Sequence, residues 1–99
     1  MHNDFEIYFE TAELLKVIAH PVRLCIIRGL LDKGQCNVTY MQTCLKLPQS
    51  TISQHVQKLR AAKVIVGKRN GVEIGYRINN DTVKQLINIL FPEEEQKND

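Results

Sequence analysis

The chain has 99 residues, 24% charged and 43% apolar, which is the size and balance of one small globular domain. No apolar run reaches the roughly 18 residues of a membrane span, and the acidic start MHNDFEIYFE is unlike a secretory leader, so a cytoplasmic protein without membrane association is expected. The formal charge of +2 hides a division: residues 1–13 carry −4, residues 93–99 carry −3, and residues 14–92 carry +9, twelve Lys and Arg against Asp32, Glu73 and Asp81.

Nothing in the chain reads as a repeat, a low-complexity tract or a linker, so residues 1–99 are expected to form a single domain. Over residues 5–19, Phe5, Phe9, Ala12, Leu15 and Ala19 recur at three- to four-residue steps, the pattern of an amphipathic helix. Pro21 is suited to the first position of a second helix, because it lacks the N–H that is unpaired there. Leu24, Ile27, Leu30 and Leu31 supply that helix with a buried face, and Gly34 stops it. Asn37 is a candidate N-cap for a short third helix bearing Val38, Met41, Leu45 and Leu47. Pro48 opens a fourth, in which Ile52, Val56 and Leu59 share one side.

VIVGK and VEIGYRI follow, rich in β-branched and aromatic residues. Asn70-Gly71 between them is a hairpin signal, since both residues tolerate the positive φ of a type I′ turn. Asn80 caps a last helix with Val83, Leu86, Ile87, Leu90 and Phe91 on one stripe, up to Pro92. The expected fold is mainly α with a β-hairpin, in the order α-α-α-α-β-β-α.

The fourth helix carries the chemistry. With Ile52, Val56 and Leu59 turned inward, its other face holds Gln49, Ser50, Thr51, Ser53, Gln54, Gln57 and Lys58, and residues 48–60 contain no Asp or Glu. Surface helices ordinarily mix acids and bases in supporting pairs. Short hydroxyl and amide side chains instead suit base edges and phosphate oxygens. The plainer alternative is a solvent face that happens to be polar. The hairpin tip Lys68-Arg69-Asn70-Gly71 is basic, and residues 46–77 hold seven Lys and Arg against Glu73 alone. A polar helix beside a basic hairpin is what a duplex-binding protein needs.

Ala19-His20-Pro21-Val22-Arg23-Leu24-Cys25-Ile26 resembles the opening of the second helix in ArsR/SmtB-family repressors. Gln49-Ser50-Thr51-Ile52-Ser53-Gln54-His55-Val56, with Leu59-Arg60 and Val64-Ile65, resembles that family's recognition helix leading into its wing. The resemblance covers roughly residues 12–90. It implies a homodimeric winged helix-turn-helix repressor on double-stranded DNA, with a helix-turn-helix over 37–62 and a wing over 64–78. By position it implies DNA contacts from Gln49, Ser50, Thr51, Ser53 and Gln54, and wing contacts from Lys68, Arg69, Asn70 and Gly71; Lys58 is expected to hold the backbone.

Many family members sense metals, but the ligand positions differ here. The family's E-L-C-V-C-D motif falls on Gln35-Cys36-Asn37-Val38-Thr39-Tyr40, so Asn37 and Thr39 stand at the cysteine positions. Cys36 is one residue out, about 100° around a helix. The last-helix site needs D-x-H and a later His, whereas Val83 follows Asp81 by two and no His comes after it. Both sites look absent, so no metal ligands and no cofactor are expected. The A-H-P-x-R-L…L-P-Q-S-T-x-S-Q-H pattern of residues 19–24 and 47–55 resembles the family's metal-independent branch.

Cys25 and Cys44 sit beside apolar residues and are expected to be buried small hydrophobes. Cys36, after Gly34 and near a helix start, is expected to be the exposed thiol, and helix N-termini lower thiol pKa values. A redox- or ligand-gated repressor using Cys36 is thus one alternative. A protein-interaction module on the same fold is another. His20 reads as a cap or packing residue, and His55 as half-buried and structural, with a phosphate contact as its alternative.

The stripes Phe5/Phe9/Ala12/Leu15 over 5–19 and Val83/Leu86/Ile87/Leu90/Phe91 over 80–91 exceed what so small a core covers. They are expected to form a dimer interface that presents two recognition helices to a palindromic operator. The acidic ends flank these helices and would discourage DNA from that face. No nucleophile has a placed base, and no glycine-rich phosphate loop occurs, so an enzyme is not expected.

Overall fold

The computed structural model describes residues 5–92. The acidic segment 93–99, with the charge role expected of it, lies outside the described residues, as does His2. The elements are α1 (Phe5–Ile18), α2 (Pro21–Lys33), α3 (Val38–Leu45), α4 (Gln49–Ala61), β1 (Ile65–Asn70), β2 (Glu73–Ile78) and α5 (Asp81–Leu90), in the expected order.

Local chemistry sets most of the boundaries. The His20 Nδ1 accepts the Val22 N–H at 3.1 Å, with Pro21 next as the first helical residue. Asn37 accepts the Tyr40 N–H at 2.8 Å and Asn80 the Val83 N–H at 3.0 Å, each filling an orphan donor at a helix start. Gly34, at φ +90°, ends α2 and donates to the Leu30 carbonyl at 2.7 Å. Lys46 takes the left-handed conformation (φ 58°) after α3, so that residues 46–48 turn the chain directly into α4. The Pro48 carbonyl then accepts from both Thr51 and Ile52 at 3.1 Å.

The strands are antiparallel, running from Ile65↔Ile78 to Asn70↔Glu73. That register makes Gly71-Val72 the two-residue loop, one residue later than Asn70-Gly71. Gly71 has φ +71° and Asn70 is not in the left-handed region, so the type I′ expectation is corrected. A positive φ at the first central residue alone is the II′ pattern, which Gly meets without strain.

Ile26, Ile27, Leu30, Met41, Ile52, Val56, Leu59, Val64, Ile65, Tyr76, Ile78, Val83 and Ile87 build one core, with Ile18 at the end of α1. In α2 the buried residues are Ile26, Ile27 and Leu30, while Leu24 and Leu31 are half-buried at its margin. The cysteine expectations are reversed. Cys25 and Cys44 are exposed, and Cys36 is buried. Its backbone pairs with Tyr76 on β2 (N–H···O 3.1 and 2.8 Å), extending the hairpin by one bridge.

Candidate nucleic-acid interface

Ile52, Val56 and Leu59 anchor α4 in the core, and this alone determines which side faces outward. Gln49, Ser50, Gln54, Gln57 and Lys58 are exposed, and Thr51 and Ser53 are half-buried beside them. On the wing, Lys68, Arg69, Asn70, Gly71 and Arg77 are exposed. The Arg69 Nη1 donates to the Gly71 carbonyl at 3.3 Å, which folds the guanidinium over the tip of the loop. The start of α4 and the wing tip share a cleft of about 200 Å³, lined by Gln49, Thr39, Val72, Ile74 and Asn37 among others. Gln49 is thus brought together with Val72 and Glu73 of the hairpin, whereas Lys68, Arg69, Asn70 and Gly71 do not line that cleft. Lys58 is not part of that cleft. It borders a separate groove against α1 with Phe9, Glu10 and Glu13, roughly 13 Å along the helix from Gln49 at 1.5 Å per residue.

Two residues of the cleft escaped the sequence reading. Thr39 lies on exposed α3, whose polar positions are too few to show a pattern. Val72 is 92% exposed at the wing tip. Taking Asn70-Gly71 as the turn assigned it to a strand. The ion pairs Lys16–Glu13 and Lys84–Asp81 lie on α1 and α5, Glu13 at the groove that Lys58 borders. Glu73, the acid within the basic segment 46–77, accepts from the Asn37 side-chain amide at 2.8 Å.

Burial pushes the Cys36 thiol above its ordinary range, against the opposing charge of Lys33. A protonated, covered thiol is a poor nucleophile, so the expectation of an exposed, reactive Cys36 is corrected. Among the described residues no group of three or more His, Cys, Asp or Glu is placed to hold a metal ion. No described helix is long and apolar enough to cross a membrane.

On α1 and α5, Phe5, Ile7, Tyr8, Phe9, Leu15, Ile89 and Leu90 are exposed, and Ala12 with them. Phe5 stands edge-on to both Tyr8 and Phe9, with ring centroids 6.0 and 6.5 Å apart. The expected partner face divides at α5. Val83 and Ile87 are buried in the chain's own core, so that part of the expectation is corrected, because one face of α5 must close over α2. Leu86 and Phe91 are half-buried, Phe91 beneath the Arg28 guanidinium at 4.9 Å.

No family model matches the chain. It is 49% identical over 83 residues to the transcriptional repressor PagR of Bacillus anthracis, covering 84% of this chain and 83% of that protein. It is also 35% identical over 82 residues to the transcriptional repressor SmtB of Mycobacterium tuberculosis, covering 83% of this chain and 60% of that one. The chain belongs to the ArsR/SmtB family. The crystal structure of PagR agrees in architecture, with a TM-score of 0.80 at 46% identity over 88% of this chain and 99% of that one. As an ArsR/SmtB-type winged helix-turn-helix protein, the chain is a DNA-binding transcriptional regulator and not an enzyme.

Proposed function

We propose that the chain represses transcription as a cytoplasmic homodimer occupying a palindromic operator, without a metal or cofactor. Gln49, Ser50, Thr51, Ser53 and Gln54 enter the major groove from α4, and Lys68, Arg69, Asn70 and Gly71 follow the backbone from the wing. Lys58, at the far end of α4, contacts the flanking phosphate. Residues 37–62 act as the helix-turn-helix and 64–78 as the wing. The observation that carries this reading is the acid-free polar face of α4, whose first residue, Gln49, shares a cleft with Val72 at the wing tip. The exposed aromatic face of α1, with Leu90 and Ile89 of α5, supports a two-fold partner interface.

Selection of bound duplexes from a random pool, followed by salt-titrated binding, tests the proposal. A palindromic consensus bound well above its scrambled version is the expected result, and equal binding of both would sink it. Arg69→Ala should weaken selected and random duplexes alike and flatten the salt slope by about one unit. Gln54→Ala should instead lower the preference for the selected duplex about tenfold and leave random DNA nearly unchanged. The same titrations read both outcomes.

A further inference from the structure

The start of α2 is tied by side chains to two other helices. The Arg23 Nη1 donates to the Val17 carbonyl in the last turn of α1 at 2.8 Å, and its Nε donates to the His55 Nδ1 on α4 at 3.1 Å. The His20 ring lies against that of His55, tilted by 46°, with centroids 4.5 Å apart. A guanidinium N–H and a backbone N–H can only donate, so the Nδ1 atoms of His55 and His20 must both be free to accept. Both histidines therefore have geometry for the neutral ring protonated at Nε2. The DNA contacts proposed above make no use of this junction.

We infer that Arg23 is a positioning residue, holding the recognition helix in place against α1 while His55 is neutral. The inference rests on the reading of α4 as the helix that enters the groove. His55 follows Gln54 directly, so a shift of the backbone at this point displaces the side chains that read bases. Proton uptake at His55 removes the acceptor and sets an imidazolium against the guanidinium. The charged and titratable groups around His55 are His20, which caps α2, Arg23 on α2 and Lys58 on its own helix, all of them basic. From α1 the contribution is the uncharged Val17 carbonyl, through Arg23.

Burial first, and then these basic neighbours, hold His55 below its ordinary value of 6.5. The unfolded chain therefore takes the proton first, and stability falls as pH drops from about 6.5 towards the lower folded value. The junction is intact above that range and opens below it.

His55→Asn keeps an acceptor oxygen near the place of Nδ1 but cannot titrate, whereas Arg23→Ala removes the tie altogether. Amide hydrogen exchange across α4 and the last turn of α1 in the free protein at pH 7.5 and 5.5 reads the junction directly. Binding of the selected and scrambled duplexes at the same two pH values reads its consequence. In the wild type, exchange in α4 should rise and sequence preference should fall about tenfold on acidification, the scale of one lost charge-assisted bond. His55→Asn should change little with pH, and Arg23→Ala should be fast-exchanging and poorly selective at both. A His55→Asn profile that follows the wild type, or unchanged exchange in Arg23→Ala, would overturn the inference. So would wild-type affinity that rises in acid, which is the sign of a histidine–phosphate contact. If the wild type prefers no duplex at all, the DNA reading of α4 fails, and the exchange data alone decide the junction.

Discussion

Replacing Phe9 with Glu is expected to turn the proposed dimer into a folded monomer and to lower operator affinity at least a hundredfold. Phe9 is 68% exposed and outside the buried core, so the monomer loses little by the change. Across a two-fold interface the same change buries a carboxylate against an apolar surface, beside Glu10 and Glu13, which are already on that helix. Two half-sites bound by linked recognition helices gain roughly 10² to 10⁴ over one, and that gain disappears with the partner. Sedimentation equilibrium and a binding titration on the same sample check both halves. A Phe9→Glu protein that remains dimeric with wild-type affinity removes α1 from the interface.

Leu59→Ala has the largest expected effect on stability. Leu59 is fully buried on the inner face of α4, in the core with Ile52 and Val56. Truncation loses the transfer energy of the removed methyl groups and leaves a cavity, together about 3 kcal/mol. A domain this small has only about 5–15 kcal/mol in all. A drop of roughly 12–24 °C in melting temperature follows from the usual 4–8 °C per kcal/mol. Gln57→Ala, two residues away on the exposed face, should stay within about 0.5 kcal/mol of wild type. Paired thermal melts of the two variants test the orientation of α4. Equal melting temperatures would mean that the helix is rotated, and the proposed reading face with it.

The candidate site was legible largely because α4 is one-sided. Ile52, Val56 and Leu59 are its apolar positions at helical spacing, so its buried side and polar side followed together. In α2 the same reasoning had too many apolar residues. Val22, Leu24, Ile26, Ile27, Leu30 and Leu31 surround most of the helix, and several stripes fit the pattern equally well. Packing chose Ile26, Ile27 and Leu30 and left Cys25 outside, although both of its chain neighbours are apolar. One residue is about 100° of helix, so adjacency in sequence says little about sharing a face. Cys36 was misjudged for a related reason. Its burial depends on pairing with Tyr76, forty residues away, and no local pattern announces that contact.

The helix boundaries were readable from sequence because their causes are local. Pro21, Asn37 and Asn80 act on groups within a few residues, and Gly34 is permissive through its own backbone. Periodicity likewise determined that α4 has an acid-free polar face, and the residue types determined that the wing is basic. Tertiary structure decided the rest. It fixed the loop at Gly71-Val72 through the strand register, and committed Val83 and Ile87 to the chain's own core. It also joined His20, Arg23 and His55 with the Val17 carbonyl into one junction across three helices. Each of these depends on which of several compatible surfaces meet once the core closes, and that choice is made by packing between distant segments.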